Sequence, residues 1–212
     1  CREHGLPVTA LGLGSNFLVL DIGVRGLTVR LSAGVFAGIE PDGSRLKCGA
    51  AARMKKVATE ARGCGLAGME FLEGIPGSVG GGLRMNAGAM GSELFDVVET
   101  VRFMDPAGEV FEMSAESIES TYRNCPLLKN QIALGAVLKG EPDTSEAIAA
   151  RMAEYSQKRW GSQPKARSAG CIFKNPESIP AGKLVDELGL KGATEGGAMV
   201  SQEHGNFIVN NG

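Results

Sequence analysis

The residues best suited to chemistry lie in two glycine-rich stretches. Gly74-Ile75-Pro76-Gly77-Ser78-Val79-Gly80-Gly81-Gly82 has five glycines in nine positions. Closely spaced glycines let backbone N–H groups approach phosphate oxygens with no Cβ in the way, and a helix starting at such a loop adds favourable partial charge. Upstream, Gly12-Leu13-Gly14-Ser15-Asn16 follows the apolar run Val8 to Leu11 and offers small residues, a hydroxyl and a carboxamide. Two readings fit these stretches: tight turns between packed elements, or a cradle for the diphosphate of a dinucleotide. The longer stretch is not a GxGxxG fingerprint, lacks the lysine of a P-loop and runs on to Asn86-Ala87-Gly88, so the second reading implies a nucleotide-binding fold of another kind. His4 and His204 have no partner at metal-ligand spacing, and the five cysteines form no CxxC pair, so no metal site is expected.

The elements that must position these stretches read as mixed helix and strand. Val8 to Leu11 and Gly26 to Leu31 read as strands. Asp42-Gly43 between Val35–Ile39 and Arg45–Lys47 signals a hairpin, and Asp105-Pro106-Ala107-Gly108 between Val97–Phe103 and Glu109–Met113 signals a second. Met54, Val57, Ala58 and Ala61 give Arg53 to Arg62 one apolar helical face, stopped by Gly63. Ser114-Ala115-Glu116-Ser117 reads as a helix start, and Ile132 to Leu138 as a buried strand. Thr144 to Gln157 reads as a helix capped by Thr144, with Ala147, Ile148, Met152 and Tyr155 inward. Farther on, Lys183 to Leu188 is predicted helical, with strands at Ala198–Val200 and Phe207–Val209. The segment Lys158 to Lys174 carries Lys158, Arg159, Lys165, Arg167 and Lys174 and no acid. A domain boundary is placed at its start, giving residues 1–157 (subdomains 1–32 and 33–157) and residues 158–212.

A chain of 212 residues, 43% hydrophobic, buries roughly 70% of its unfolded surface on folding. The net charge of -2 with mixed signs argues against nucleic acid or a membrane surface as partner. No apolar run approaches the roughly 20 residues that span a bilayer, and the cysteine usage suits a reducing cytoplasm.

In order along the chain, Gly14-Ser15-Asn16-Phe17-Leu18-Val19, Gly74 to Gly81, Asn86-Ala87-Gly88-Ala89, Tyr122-Arg123, Gly170-Cys171-Ile172-Phe173-Lys174-Asn175-Pro176 and Val200-Ser201 to His204 resemble the UDP-N-acetylenolpyruvoylglucosamine reductase (MurB) family. The resemblance covers nearly the whole chain, and six ordered motifs are far more specific than any one. It implies an α+β fold: an FAD-binding fold of the vanillyl-alcohol oxidase type, made of two α+β subdomains, followed by a small α+β substrate-binding domain. It also implies hydride transfer from NADPH to FAD and on to the enolpyruvyl group of a nucleotide sugar, making UDP-N-acetylmuramate for peptidoglycan and so serving cell-wall biogenesis, cell shape and division.

Residue by residue, the resemblance assigns Gly14, Ser15, Asn16, Gly74, Ile75, Pro76, Gly77, Ser78, Gly80, Gly81, Asn86, Ala87 and Gly88 to FAD, and Tyr122, Lys174, Asn175 and His204 to the substrate. Arg123 and Cys171 match the catalytic positions. Hydride arriving at the β-carbon builds negative charge at the α-carbon and its carboxylate, which calls for a fixed cation and a proton donor. Arginine can pair with a carboxylate through two parallel bonds. Most of the family has serine where this chain has Cys171; a thiol with an ordinary pKa of about 8.5 is mostly protonated at neutral pH and is a stronger acid than an alcohol. For Arg123 a surface position, for Cys171 a buried structural role, for His204 local hydrogen bonding and for Lys158 and Lys165 a solvated basic loop are the bland alternatives.

The resemblance further implies a glycine-containing cofactor motif ahead of residue 1, and beyond Gly212 a helix and closing segment bearing a catalytic glutamate. Neither is among the 212 residues, and the expectation is a fragment of a longer reductase. Two other readings stand beside it: another flavoprotein oxidoreductase of the same superfamily, disfavoured because no histidine lies near either glycine stretch for covalent flavin attachment, and a non-catalytic domain binding FAD or nucleotide sugar.

Overall fold

The computed structural model describes residues 1–32 and 34–212. Residue 33, where the sequence reading starts its second subdomain, lies outside the described residues. The chain forms two compact units, the first made of residues 1–14 and 19–155 and the second of residues 15–18 and 156–212.

In chain order the first unit holds β1 (Val8–Ala10), β2 (Leu27–Val29), β3 (Ile39–Asp42), β4 (Arg45–Gly49), α1 (Met54–Gly63), β5 (Leu66–Ala67), α2 (Val79–Met85), β6 (Gly88–Ala89), β7 (Ser92–Glu93), β8 (Val98–Met104), β9 (Val110–Ser114), β10 (Ile132–Lys139) and β11 (Glu141–Pro142). Helix α3 (Ser145–Trp160) follows, its residues through Tyr155 in the first unit. Strands β3-β4-β10-β8-β9 make an antiparallel sheet in that order, while β1 and β2 pair in parallel. Alternation decides which face of the sheet is covered: Leu46, Cys48, Val101, Phe103, Ala136 and Leu138 enter one core with Met54, Val57, Ala58 and Ala61 of α1, Val79 and Leu83 of α2, and Ile148 and Met152 of α3. Burial pushes the Cys48 thiol up to about 12, so it acts as a small apolar side chain. The Thr144 hydroxyl accepts the Ala147 N–H at 3.2 Å, the cap its position foretold.

The second unit carries β12 (Ser168–Cys171), α4 (Ala181–Glu187), β13 (Thr194–Glu195), β14 (Ala198–Val200) and β15 (Phe207–Asn210). Its sheet runs β12-β15-β14-β13, with neighbouring strands antiparallel.

Four local expectations need correction. The glycine stretch is not loop throughout, because Glu70–Gly74 is 3-10 helix and α2 begins at Val79. Val35 to Ala37, expected in a hairpin strand, lie instead in a 3-10 turn, Gly34–Ala37, whose Phe36 carbonyl accepts the Ala51 N–H at 2.7 Å. The start at Ser114 yields a single 3-10 turn, Ala115–Ser117. Helix α4 opens two residues earlier than expected, behind Pro180, because the Asn175 carboxamide accepts the Ala181 N–H at 3.1 Å.

Candidate cofactor and substrate sites

Within the first unit, Gly12 of the upstream stretch comes close to Ser78 and Gly81 of the longer one. A Cβ on Gly12 would lie 3.1 Å from Ser78 Oγ and about as close as van der Waals contact, 4.0 Å, to the Gly81 nitrogen. A side chain at position 12 would press on the Ser78 hydroxyl, with the Gly81 backbone at ordinary contact distance. Ser78 is 3% exposed at the start of α2, and its hydroxyl makes no capping bond there. Among the first N–H groups of α2, that of Val79 donates to Ala52 O at 2.9 Å and that of Gly80 to Ala50 O at 2.8 Å. A Cβ on Gly80 would crowd Ala50, and one on Gly82 would collide with Met54 Cε. Glycines 80 and 82 therefore let α2 pack, whereas Gly81 meets only Ser78 Oγ, at 3.8 Å. Small residues and polar backbone at Gly12, Ser78 and Gly81 fit a diphosphate, and this cradle is the feature a Cβ would fill.

Asn86 has a different local task. It ends α2 in the left-handed conformation (φ 38°) and is 3% exposed; its amide donates to Glu93 at 2.6 Å and its carbonyl oxygen accepts the Phe95 N–H at 3.2 Å. Its side chain is thus committed to holding the Ala87-Gly88-Ala89 turn against the following strand. Gly14 has φ 75° with open space where a Cβ would stand, and Ser15 and Asn16 fall within the second unit.

Tyr122 and Arg123 occupy the tip of a two-residue turn closed by reciprocal Thr121 and Asn124 backbone bonds, each 2.9 Å. Arg123 has φ 54°, and its guanidinium lies 5.6 Å from the centre of the half-exposed Tyr122 ring. An arginine in the left-handed region is held there at a strain of about 1–2 kcal/mol, the kind that collects at functional sites. Two residues on, burial raises the pKa of the Cys125 thiol, which is fully covered and anchors the turn from below.

In the second unit Cys171 ends β12 opposite Phe207, half-buried, directly after Gly170 at φ 77°. Burial lowers the pKa of the Arg159 guanidinium, and negative charge on Cys171 would raise it, which puts this arginine within electrostatic reach of the thiol. Lys174 is exposed, whereas the Asn175 carboxamide serves as the α4 cap just described. His204 Nδ1 accepts the Asn206 N–H at 3.1 Å, and its ring meets Phe207 edge-on at 4.8 Å. Its tautomer, inferred from that bond, carries the proton on Nε2. Burial, then the charge of Lys191, lowers its pKa.

Sequence reasoning passed over two buried polar residues. Asn206, 2% exposed, bonds the segment that follows Cys171. Glu70, 6% exposed, accepts the Gly68 N–H at 2.8 Å and Arg151 Nε at 2.8 Å, and Arg151 also reaches Asp143 at 2.7 Å. Periodicity reports apolar faces only; the one signal for Asn206 was a polar residue directly ahead of a strand. Among the described residues no cluster of His, Cys, Asp and Glu could hold a metal, and no helix is long and apolar enough to cross a membrane.

Fold and glycine cradle together define an FAD-binding protein: the family model described as FAD binding domain matches residues 1–114. The model for the UDP-N-acetylenolpyruvoylglucosamine reductase C-terminal domain matches residues 163–212. The reductase of that name from Caulobacter vibrioides is 46% identical over 214 residues, covering 99% of this chain and 71% of the relative. That from Paramagnetospirillum magneticum is 46% identical over 208 residues, covering 98% and 67%. The crystal structure of UDP-N-acetylenolpyruvylglucosamine reductase from Thermus caldophilus superposes with a TM-score of 0.89 at 43% identity, across all of this chain and 77% of that one. The chain belongs to the UDP-N-acetylenolpyruvoylglucosamine reductase family, and its α+β architecture is that of an FAD-binding domain followed by a small second domain.

Proposed function

We infer that this protein is the NADPH- and FAD-dependent oxidoreductase that reduces UDP-N-acetylglucosamine enolpyruvate to UDP-N-acetylmuramate in peptidoglycan synthesis, and that it works in the cytoplasm. The observation that carries the reading is the approach of Gly12 to Ser78 and Gly81, a side-chain-free wall for a dinucleotide diphosphate, in a chain of this family. The flavin, when bound, supplies a two-electron carrier that accepts hydride from NADPH and delivers it to the enolpyruvyl β-carbon.

The chain's own residues meet the remaining demands. Gly12, Ser78 and Gly81 hold the diphosphate through backbone N–H groups and one hydroxyl, and Gly14, Ser15, Asn16, the Gly74–Gly77 turn and the Asn86–Gly88 turn also contribute to FAD binding. Arg123 pairs with the substrate carboxylate as negative charge spreads into it; a charge-assisted bond of this type contributes about 1.5–3 kcal/mol. Cys171 gives its S–H proton to the α-carbon, and Arg159 steadies the thiolate left behind. Tyr122, Lys174, Asn175 and His204 contact the nucleotide sugar.

Rapid-mixing of Cys171 variants tests these roles. Cys171→Ser should keep much of the turnover, because a hydroxyl can occupy the same place. Cys171→Ala should be reduced by NADPH at the parent rate yet fail to complete turnover, and an alanine variant with full turnover would refute the donor role.

A further inference from the structure

We propose that Asn206 is the positioning residue for the Cys171 thiol. The inference rests on the reading of Cys171 as proton donor. Strand β12 stops at Cys171, and the next two residues, Ile172 and Phe173, leave 42% and 53% of their surface in solvent. About half of each is covered. Asn206 binds the backbone of this segment at three points: the Asn206 carbonyl accepts the Ile172 N–H at 2.9 Å, its Oδ1 accepts the Phe173 N–H at 2.8 Å, and its Nδ2 donates to the Phe173 carbonyl at 2.9 Å. A carboxamide accepts and donates through two separate atoms, which lets it grip both the N–H and the carbonyl of one backbone residue.

The clamp is itself fixed. Asn206 N–H donates to His204 Nδ1, and the fully buried Ser201 hydroxyl accepts the N–H groups of Glu203 at 3.1 Å and His204 at 3.4 Å. At Gly205 a Cβ would stand 2.5 Å from the Gly182 carbonyl oxygen and 3.1 Å from Val185 Cβ, so the turn lies flat on α4. Residues 201–206 therefore form a rigid anvil, and Asn206 carries that rigidity to the two peptides after the thiol. A proton donor works only within hydrogen-bond reach of its target, and a displacement of about 1 Å lowers a rate by roughly 100-fold. The clamp acts on that placement through the backbone that follows Cys171.

Two measurements on the same variants test this, one of them independent of the cofactor. Iodoacetamide labelling of the protein without added FAD, resolved by peptide mass mapping with exposed Cys64 as internal reference, reports how firmly Cys171 is held. Single-turnover mixing of the FAD-loaded protein separates reduction by NADPH from reoxidation by the enolpyruvyl substrate. In Asn206→Ala, Cys171 labelling relative to Cys64 should rise at least about fivefold, substrate-driven reoxidation should slow at least about 30-fold, and reduction should stay within about twofold of the parent. Asn206→Asp keeps the acceptor for Phe173 N–H and loses the donor, so it should fall between parent and alanine in both readouts and serves if the alanine variant does not fold. Parent-like labelling and reoxidation in these variants overturn the proposal, as does an equal loss of both half-reactions, the mark of a merely structural role. Cys171→Ala separates the two layers: if it is stalled while Asn206 variants are normal, the clamp alone fails; if it turns over fully, the donor reading beneath it fails.

Discussion

Arg123 shows what the reductase reading asks of a single residue. Nothing in local propensity favours arginine at φ 54°, a conformation in which glycine loses nothing. Arg123→Gly should therefore melt no lower than the parent, since relief of about 1 kcal/mol of strain offsets glycine's extra chain entropy, while turnover is lost. Thermal melts beside steady-state rates check this; a large drop in melting temperature would show the residue to be structural. His204 makes the complementary case, a residue expected near substrate that is built into its own turn. Its folded-state pKa lies below the ordinary histidine value because of burial and Lys191. Above about pH 6.5 it is neutral whether folded or not and adds no penalty; as pH falls through the folded value, the unfolded chain takes the proton first and stability is lost. Melts between about pH 8 and 5 should show a steeper acid loss in the parent than in His204→Gln, and parallel curves would contradict the assignment.

At the scale of elements, helix α2 separates the packing glycines Gly80 and Gly82 from Gly81, the one proposed for the cofactor. Gly82→Ala should destabilise by about 1–3 kcal/mol, because Met54 and Leu94 already fill the space. Gly81→Ala should leave stability equal or about 0.5–1 kcal/mol higher, as alanine favours helix, yet weaken FAD binding at least about tenfold by blocking the cradle. Denaturant melts and flavin titration measure both; undiminished FAD affinity in Gly81→Ala would remove this glycine from the site. The elements most legible in the sequence were those with strong periodicity or turn chemistry: α1 through Met54, Val57, Ala58 and Ala61, α3 through its Thr144 cap, and the Asp42-Gly43 and Asp105–Gly108 hairpins. Helix α2 was hidden because Val79-Gly80-Gly81-Gly82 has almost no helix propensity; tertiary contact with Ala50, Ala52 and Met54 forms it. The start of α4 was hidden because its cap, Asn175, stands six residues away from the N–H it accepts.

For the whole molecule, motif order conveyed more than any motif alone. Gly12 and Ser78 are 66 positions apart in the chain, and only folding shows that they touch. The Glu70–Arg151–Asp143 network and the Asn206 clamp likewise join residues with no local pattern, so no periodicity could announce them. Family membership and the FAD-binding fold rest on matches across both units, and the reductase reading predicts how they act in one reaction. The most direct test follows the visible band of oxidised flavin in the FAD-loaded protein without oxygen. NADPH should bleach the band, and UDP-N-acetylglucosamine enolpyruvate should restore it with one equivalent of UDP-N-acetylmuramate formed; a protein that takes up no FAD, or whose bleached band stays bleached when that substrate is added, would contradict the account.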